Sequence, residues 1–312
     1  VTLTAAMISG SIFAQNPQVD KKIPKYKKTT GISGNLNSIG SDSMINLMTL
    51  WAEGFQKHYP QVKIQIEGKG SSTAPPALIE GTAQLGPMSR KMKSTEIDKF
   101  EDKYGLKPTT FGVALDALSV FVNKNNPLEK ITLDQVDAIF SKTRKREYRE
   151  DITTWGQLGL TGEWANKPIS IYGRNSASGT YGFFKDEALK KGDYKDLVKE
   201  QPGSAAVVQG ISEDKFAIGY SGIGYKTSSV KALSLSEDGK TYYEANDDHI
   251  KDGHYPLARF LNISIVKEPS KPLNPLVREF IKYIFSYEGQ MVVVKDGYMP
   301  LTAEQVKKEI EK

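Results

Sequence analysis

Three times in this chain a short run of glycine, serine and threonine leads straight into a helical stretch. Gly40-Ser41-Asp42-Ser43 precedes a helix beginning near Met44. Gly70-Ser71-Ser72-Thr73 precedes Ala74 to Glu80, where Pro75 and Pro76 mark a first helical turn. Ser176-Ala177-Ser178-Gly179-Thr180 precedes Tyr181 to Lys190. A helix start leaves about four backbone N–H groups without partners and carries about half a positive charge, so it attracts anions. Glycine lets the main chain come close, and the hydroxyls add donors without adding charge. Such a set suits a small oxyanion taken out of water, because many neutral donors satisfy its oxygens. Serine and threonine are also ordinary N-caps, so one such loop alone reads as a cap, and only the recurrence points to a shared ligand. Arg174, two residues before Ser176 and at the end of a strand-like Ile169 to Tyr172, could add a two-pronged donor at the crevice where open α/β sheets bind ligands. A surface salt bridge is the alternative for that arginine.

From Gly31 onward, strand-like runs alternate with amphipathic ones, which predicts an α/β architecture. Val62, Ile64 and Ile66 alternate, and Leu118 to Val122, Ile169 to Tyr172 and Phe260 to Val266 are further strand candidates. Met44, Leu47, Met48, Trp51 and Phe55 form one helical stripe, which places Trp51 in a core. Thr132 to Phe140 and Pro275 to Tyr287 read as helices, and Lys142 to Glu150 as a charged loop.

The 312 residues suit two domains, and 38% apolar content is enough for two cores. A formal charge of +5, spread thinly over a chain with 25% charged residues, mildly favours anionic partners and does not require nucleic acid. With no cysteine, disulfides, thiol nucleophiles and thiolate metal sites are excluded. Val1 to Gln15 is small, apolar and uncharged, like the tail of a secretory signal, so export to a periplasm is expected. No other segment approaches the ~20 apolar residues of a membrane span. The Lys-rich Asn16 to Thr30 reads as a flexible leader.

With these loops the chain resembles the periplasmic phosphate-binding proteins of high-affinity phosphate ABC importers, a family of the type II solute-binding fold. The resemblance runs from about Gly31 to Leu301. It includes the GSDS, GSST and RNSASGT loops, Ile131 to Phe140 followed by Trp155, Ala217-Ile218-Gly219-Tyr220, and Glu288-Gly289-Gln290 through Gly297-Tyr298-Met299-Pro300-Leu301. It implies a two-lobed α/β protein, each lobe a mixed sheet flanked by helices, with the ligand in the interlobe cleft. The expected division is 1–30 as signal remnant and leader, 31–115 plus 224–312 as one lobe, and 116–223 as the other. Implied phosphate ligands are Ser41, Asp42 through its backbone amide, and Ser43; Ser71; and Arg174, Ser178, Gly179 and Thr180. The implied partners are inorganic phosphate and the permease subunits of an ABC importer; a monomer with no metal, nucleotide or organic cofactor is expected.

One position departs from the family's pattern. Some members carry an aspartate after the strand that follows the second loop's helix, where it accepts the proton of phosphate and so rejects sulfate. Here Ser89 occupies that place and Arg90 follows. Asp116, a lone acid in the apolar run Val113 to Leu118, is the candidate replacement, or else it pins the hinge. Arg90 either touches the anion or neutralises Asp116. Another oxyanion such as sulfate is the alternative ligand, and a phosphate-ester hydrolase the alternative from a different class.

Enzyme motifs are weak. The serines lack the Gly-x-Ser-x-Gly elbow, and no glycine loop ends in Lys-Ser or Lys-Thr before a helix. The three histidines are His58, His249 and His254; the last two lie among Asp247, Asp248 and Asp252, a stretch that reads as a solvated loop rather than a metal cluster.

Overall fold

The computed structural model describes residues 18–269 and 271–312, so the signal-like Val1 to Gln15 lies outside the described residues. In chain order the elements are β1 (Gly34–Gly40), α1 (Ile45–Gln56), β2 (Val62–Gly68), α2 (Ala74–Ile79), β3 (Gly86–Met88), α3 (Ser94–Tyr104), β4 (Thr109–Asn123), β5 (Lys130–Thr132) and α4 (Leu133–Phe140). Then follow β6 (Ser170–Arg174), α5 (Gly179–Glu187), β7 (Lys199–Gln201), α6 (Ser204–Glu213), β8 (Ala217–Gly222), β9 (Val230–Ala232), β10 (Ser234–Ser236) and α7 (Asp247–Lys251). The chain ends with β11 (Ala258–Ile265), α8 (Pro275–Ile284), α9 (Tyr287–Lys295) and α10 (Ala303–Ile310).

The periodicities explain the elements. Met44, just before α1, and Leu47, Met48, Trp51 and Phe55 along α1 are buried in one stripe, and the Trp51 indole N–H donates to the Gly289 carbonyl at 2.8 Å. Thr132 caps α4 in a box with Gln135, which satisfies two of the orphan amides at that helix start. As its charge pattern suggests, 142–150 contains no helix or strand.

β4 positions the site. Its first part pairs antiparallel with β11, from Thr109↔Ile265 to Ala117↔Ala258, and its second part pairs antiparallel with β8, from Leu118↔Gly222 to Val122↔Ile218. The first lobe takes β11, β3 and the parallel pair β1–β2; the second takes β8, β6 and β7. One strand thus serves both sheets, and the changeover at Ala117/Leu118 puts Asp116 at the crossover.

Two expectations differ from the structure. The return to the first lobe, expected at Gly224, comes later: β9 pairs with Phe121 to Asn123 of β4, β10 pairs with β5, and only β11 rejoins the first lobe. Strands of three residues are too short to leave a periodic signal. The described part of the leader is also not a loose tail. Val19 and Ile23 are buried, the Ala303 N–H donates to Asp20, and the Tyr287 N–H donates to the Pro24 carbonyl. Tyr26 donates to the buried Glu279 at 2.6 Å, where Thr29 also donates at 3.1 Å. The run holds its few apolar residues at spacings that a tally of lysines conceals.

Burial raises the Glu279 carboxyl, but hydrogen bonds from Tyr26, Lys282 and Thr29 outweigh it and hold the group below its ordinary value. A depressed carboxyl stabilises the fold above its unfolded pKa, and that stability is lost as pH falls through its folded pKa. Tyr26→Phe should therefore lower the urea-unfolding free energy by about 1 kcal/mol at neutral pH. The difference between the two proteins should shrink as the medium becomes acidic enough to protonate Glu279.

Candidate anion-binding site

Each hydroxyl loop sits between a strand's carboxyl end and a helix. After β1, Ser41 donates its N–H to the Pro87 carbonyl at 2.8 Å, and a tight turn over Asp42–Met44 leads into α1. After β2, Gly70 takes φ 111°, a conformation costly for any side chain, and a second tight turn over Ser71–Thr73 leads into α2. After β6, Ser178 caps α5 by accepting the N–H groups of Thr180 and Tyr181.

The loops from the two lobes meet. The Ser43 and Thr180 hydroxyls lie 2.8 Å apart, and Ser72 donates to the Ala177 carbonyl through its amide at 3.2 Å and its hydroxyl at 3.0 Å. A Cβ on Gly179 would stand 2.2 Å from Ser71 Oγ and 2.7 Å from Ser89 Oγ, so this contact admits only glycine. Ser71 Oγ accepts the Ser89 N–H at 3.0 Å. Ser41, Ser43, Ser71, Ser89, Arg174, Ser178 and Thr180 are all buried.

Arg174 ends β6 with its side chain about 1% exposed. Its Nη1 donates to Ser204 Oγ at 2.7 Å and lies 3.2 Å from Asp42 Oδ2, and its Nη2 donates to the Pro202 carbonyl. Burial pushes its pKa down, and the Asp42 carboxylate opposes that shift. Asp42 also accepts the Ser204 N–H at 2.8 Å, while its carbonyl accepts the Tyr225 hydroxyl. Its carboxylate is thus engaged as well as any contribution from its backbone amide. Tyr298 holds the Ser43 carbonyl in the same way at 2.8 Å. Two buried polar atoms of this group have no hydrogen-bond partner among the described residues, Ser41 Oγ and Arg174 Nε.

Asp116 is fully buried and pairs with Arg259, whose Nε and Nη2 lie 2.8 Å and 2.7 Å from Oδ2. Its Oδ1 accepts the Ile223 N–H at 3.1 Å. Arg90 makes a two-pronged pair with Glu96 at 2.7 and 2.8 Å, so the group that neutralises Asp116 is Arg259.

Sequence reasoning missed Arg259 and Ser204. Ser204 follows Gly203 at the start of α6, a fourth glycine–hydroxyl step into a helix, so a signal was present. Arg259 is a lone cation in an apolar strand, the same signal that singles out Asp116, but the two are joined only by the register Arg259↔Asp116.

The histidines pack in aromatic clusters, His58 against Tyr26 and Tyr283 and the other two around Tyr243. Among the described residues, no group of three or more His, Cys, Asp or Glu could hold a metal, and no helix is long and apolar enough to cross a membrane.

Comparison with known proteins agrees with this fold. The model of a PBP superfamily domain matches residues 27–288. The phosphate-binding protein PstS of Pseudomonas aeruginosa is 57% identical over 293 residues, which cover 94% of this chain and 91% of that protein. A Clostridium perfringens chain described as a phosphate ABC transporter substrate-binding protein, solved with bound phosphate, superposes with a TM-score of 0.72 at 26% identity, covering 86% of this chain and 100% of its own. An ABC-type phosphate transport receptor of Vibrio cholerae shares the fold with a TM-score of 0.65 at 23% identity, covering 85% of this chain and 100% of its own. Since the domain model spans most of the chain and more than half of the aligned positions are those of a PstS protein, the chain belongs to the PstS family of type II solute-binding proteins within the PBP superfamily.

Proposed function

We propose that the chain is an exported, periplasmic binding protein that captures inorganic phosphate between its lobes, as a monomer and without catalysis, and delivers it to the permease subunits of an ABC importer. The observation that carries this reading is the meeting of loops from both lobes around buried donors, two of which, Ser41 Oγ and Arg174 Nε, have no hydrogen-bond partner among the described residues. A buried donor left without an acceptor is costly, so a ligand that accepts from it binds with that cost removed. A tetrahedral anion supplies four acceptor oxygens in a small volume. Because the donors belong to both lobes, its binding energy favours the closed arrangement over an open one. The permease then has a shape to recognise that signals the loaded state. The relatives' names, phosphate-binding protein and phosphate transport receptor, support the same ligand.

Isothermal titration should give saturable binding of one phosphate per chain, and a chromogenic phosphate ester should not be turned over. Turnover would favour the hydrolase reading, and tighter binding of sulfate than phosphate would favour the other-oxyanion reading. In Gly179→Ala the new methyl meets Ser71 and Ser89 and holds the loops apart. Its phosphate affinity should fall by about a hundredfold or more, the equivalent of two charge-assisted hydrogen bonds. Scattering in the presence of phosphate should show a more extended molecule than the unsubstituted protein, with the ligand-free melting temperature little changed.

A further inference from the structure

The hydroxyls that join the lobes form a row with a guanidinium at each end. Arg259 Nη2 donates to Thr180 Oγ1 at 3.1 Å, Thr180 Oγ1 lies 2.8 Å from Ser43 Oγ, Ser43 Oγ lies 3.4 Å from Ser204 Oγ, and Arg174 Nη1 donates to Ser204 Oγ at 2.7 Å. A guanidinium can only donate, so both outer links of the row use arginine protons. The two inner links need two of the three hydroxyl protons. One hydroxyl proton is left over and must go to an acceptor outside the row. The row as a whole is therefore a donor surface, and Arg259 contributes to it as directly as Arg174 does.

Arg259 is also fixed in place. Asp116 takes its Nε and Nη2, the Ser89 carbonyl accepts from its Nη1 at 2.8 Å, and the Phe183 ring lies 5.3 Å from its guanidinium carbon. Its side chain is 2% exposed. With Ser178 and Phe183 it lines a cavity of about 770 Å³ between residues of the two lobes. The arrangement mirrors Arg174, whose counter-ion is Asp42.

We infer that Arg259 is a second cationic ligand of the bound anion, and that Asp116 acts through it as a positioning residue rather than as the acceptor of the phosphate proton. This rests on the phosphate reading above and deepens it. Two guanidiniums facing a donor row favour the dianion of phosphate over the monoanion. Asp116 has Arg259 on one oxygen and the Ile223 amide on the other, so it sets where Arg259 points.

The test compares phosphate and sulfate titrations of the unsubstituted protein with three variants, Arg259→Lys, Asp116→Asn and the double variant Arg259→Gln/Asp116→Asn, from below to above the second ionisation of phosphate. Sulfate stays dianionic throughout and controls for titration of the protein itself. The double variant removes two opposite buried charges together, which avoids stranding either one. If Arg259 were only a structural partner of Asp116, it would bind phosphate within twofold of the unsubstituted protein, and the inference would fall. The expected result is a loss of about tenfold to a hundredfold for phosphate, with a weakened preference for the dianion. Arg259→Lys keeps a charge but cannot reach all its partners, so affinity should drop while the dianion preference survives; loss of that preference would count against the inference. Asp116→Asn should weaken phosphate and sulfate in parallel. A change in their ratio would instead make Asp116 the acceptor and overturn its positioning role. If the unsubstituted protein binds no phosphate at all, it is the functional reading that fails.

Discussion

Ser43 and Thr180 are 137 positions apart in the chain, yet their hydroxyls share a contact of 2.8 Å, which requires two main chains to approach with almost nothing between them. Gly179 makes this possible on one side, because any side chain there would occupy the space of Ser71. Gly70 does so on the other: a Cβ would stand 2.5 Å from the Ala177 oxygen, and its positive φ turns Ser71 and Ser72 toward the opposite lobe. Once these backbones are close, water is squeezed out and each donor in the seam must find a protein or ligand acceptor. The chemistry of the site follows from that requirement.

The seam also has to accommodate buried charge, and it does so in pairs. Arg174 faces Asp42 and Arg259 faces Asp116, while Arg90, which stands next to Ser89 in sequence, is paired with Glu96. An unpaired guanidinium at this depth would be strongly destabilising, so each counter-ion is a condition for the cation to be there at all. Pairing offsets the desolvation of each arginine while its remaining N–H donors stay directed at the hydroxyl row. That is the arrangement a small anion needs in order to be held firmly and still released when the lobes part.

How much of this was legible depended on the distance over which each signal acts. The stripe from Met44 to Phe55, the alternation in β2 and the cap at Thr132 act within one or two turns, and the elements appear where their patterns put them. The three loops are equally local, and the structure brings them together. Arg259 was not legible as a partner of Asp116, because what joins them is a strand register across 143 residues. β9 and β10 were missed because three residues carry no period, and the docking of the leader because Tyr26 meets Glu279 only after 253 positions. Arg90 shows the converse: adjacency to Ser89 in sequence does not reveal that its guanidinium pairs with Glu96 rather than with Asp116.

The first lobe is assembled from both ends of the described chain. Asp20 takes an amide proton from Ala303, 283 residues later, and Tyr26 is locked by α8. The second lobe's strands, from Leu118 to Ser236, are by contrast nearly contiguous. In folding, the second lobe can close on local contacts, whereas the first needs α8 to α10 to meet residues far earlier in the chain. Asp20 and Tyr26 then lack the partners supplied by α8 and by Ala303 until those late segments are in place, so the first lobe is the last to be completed.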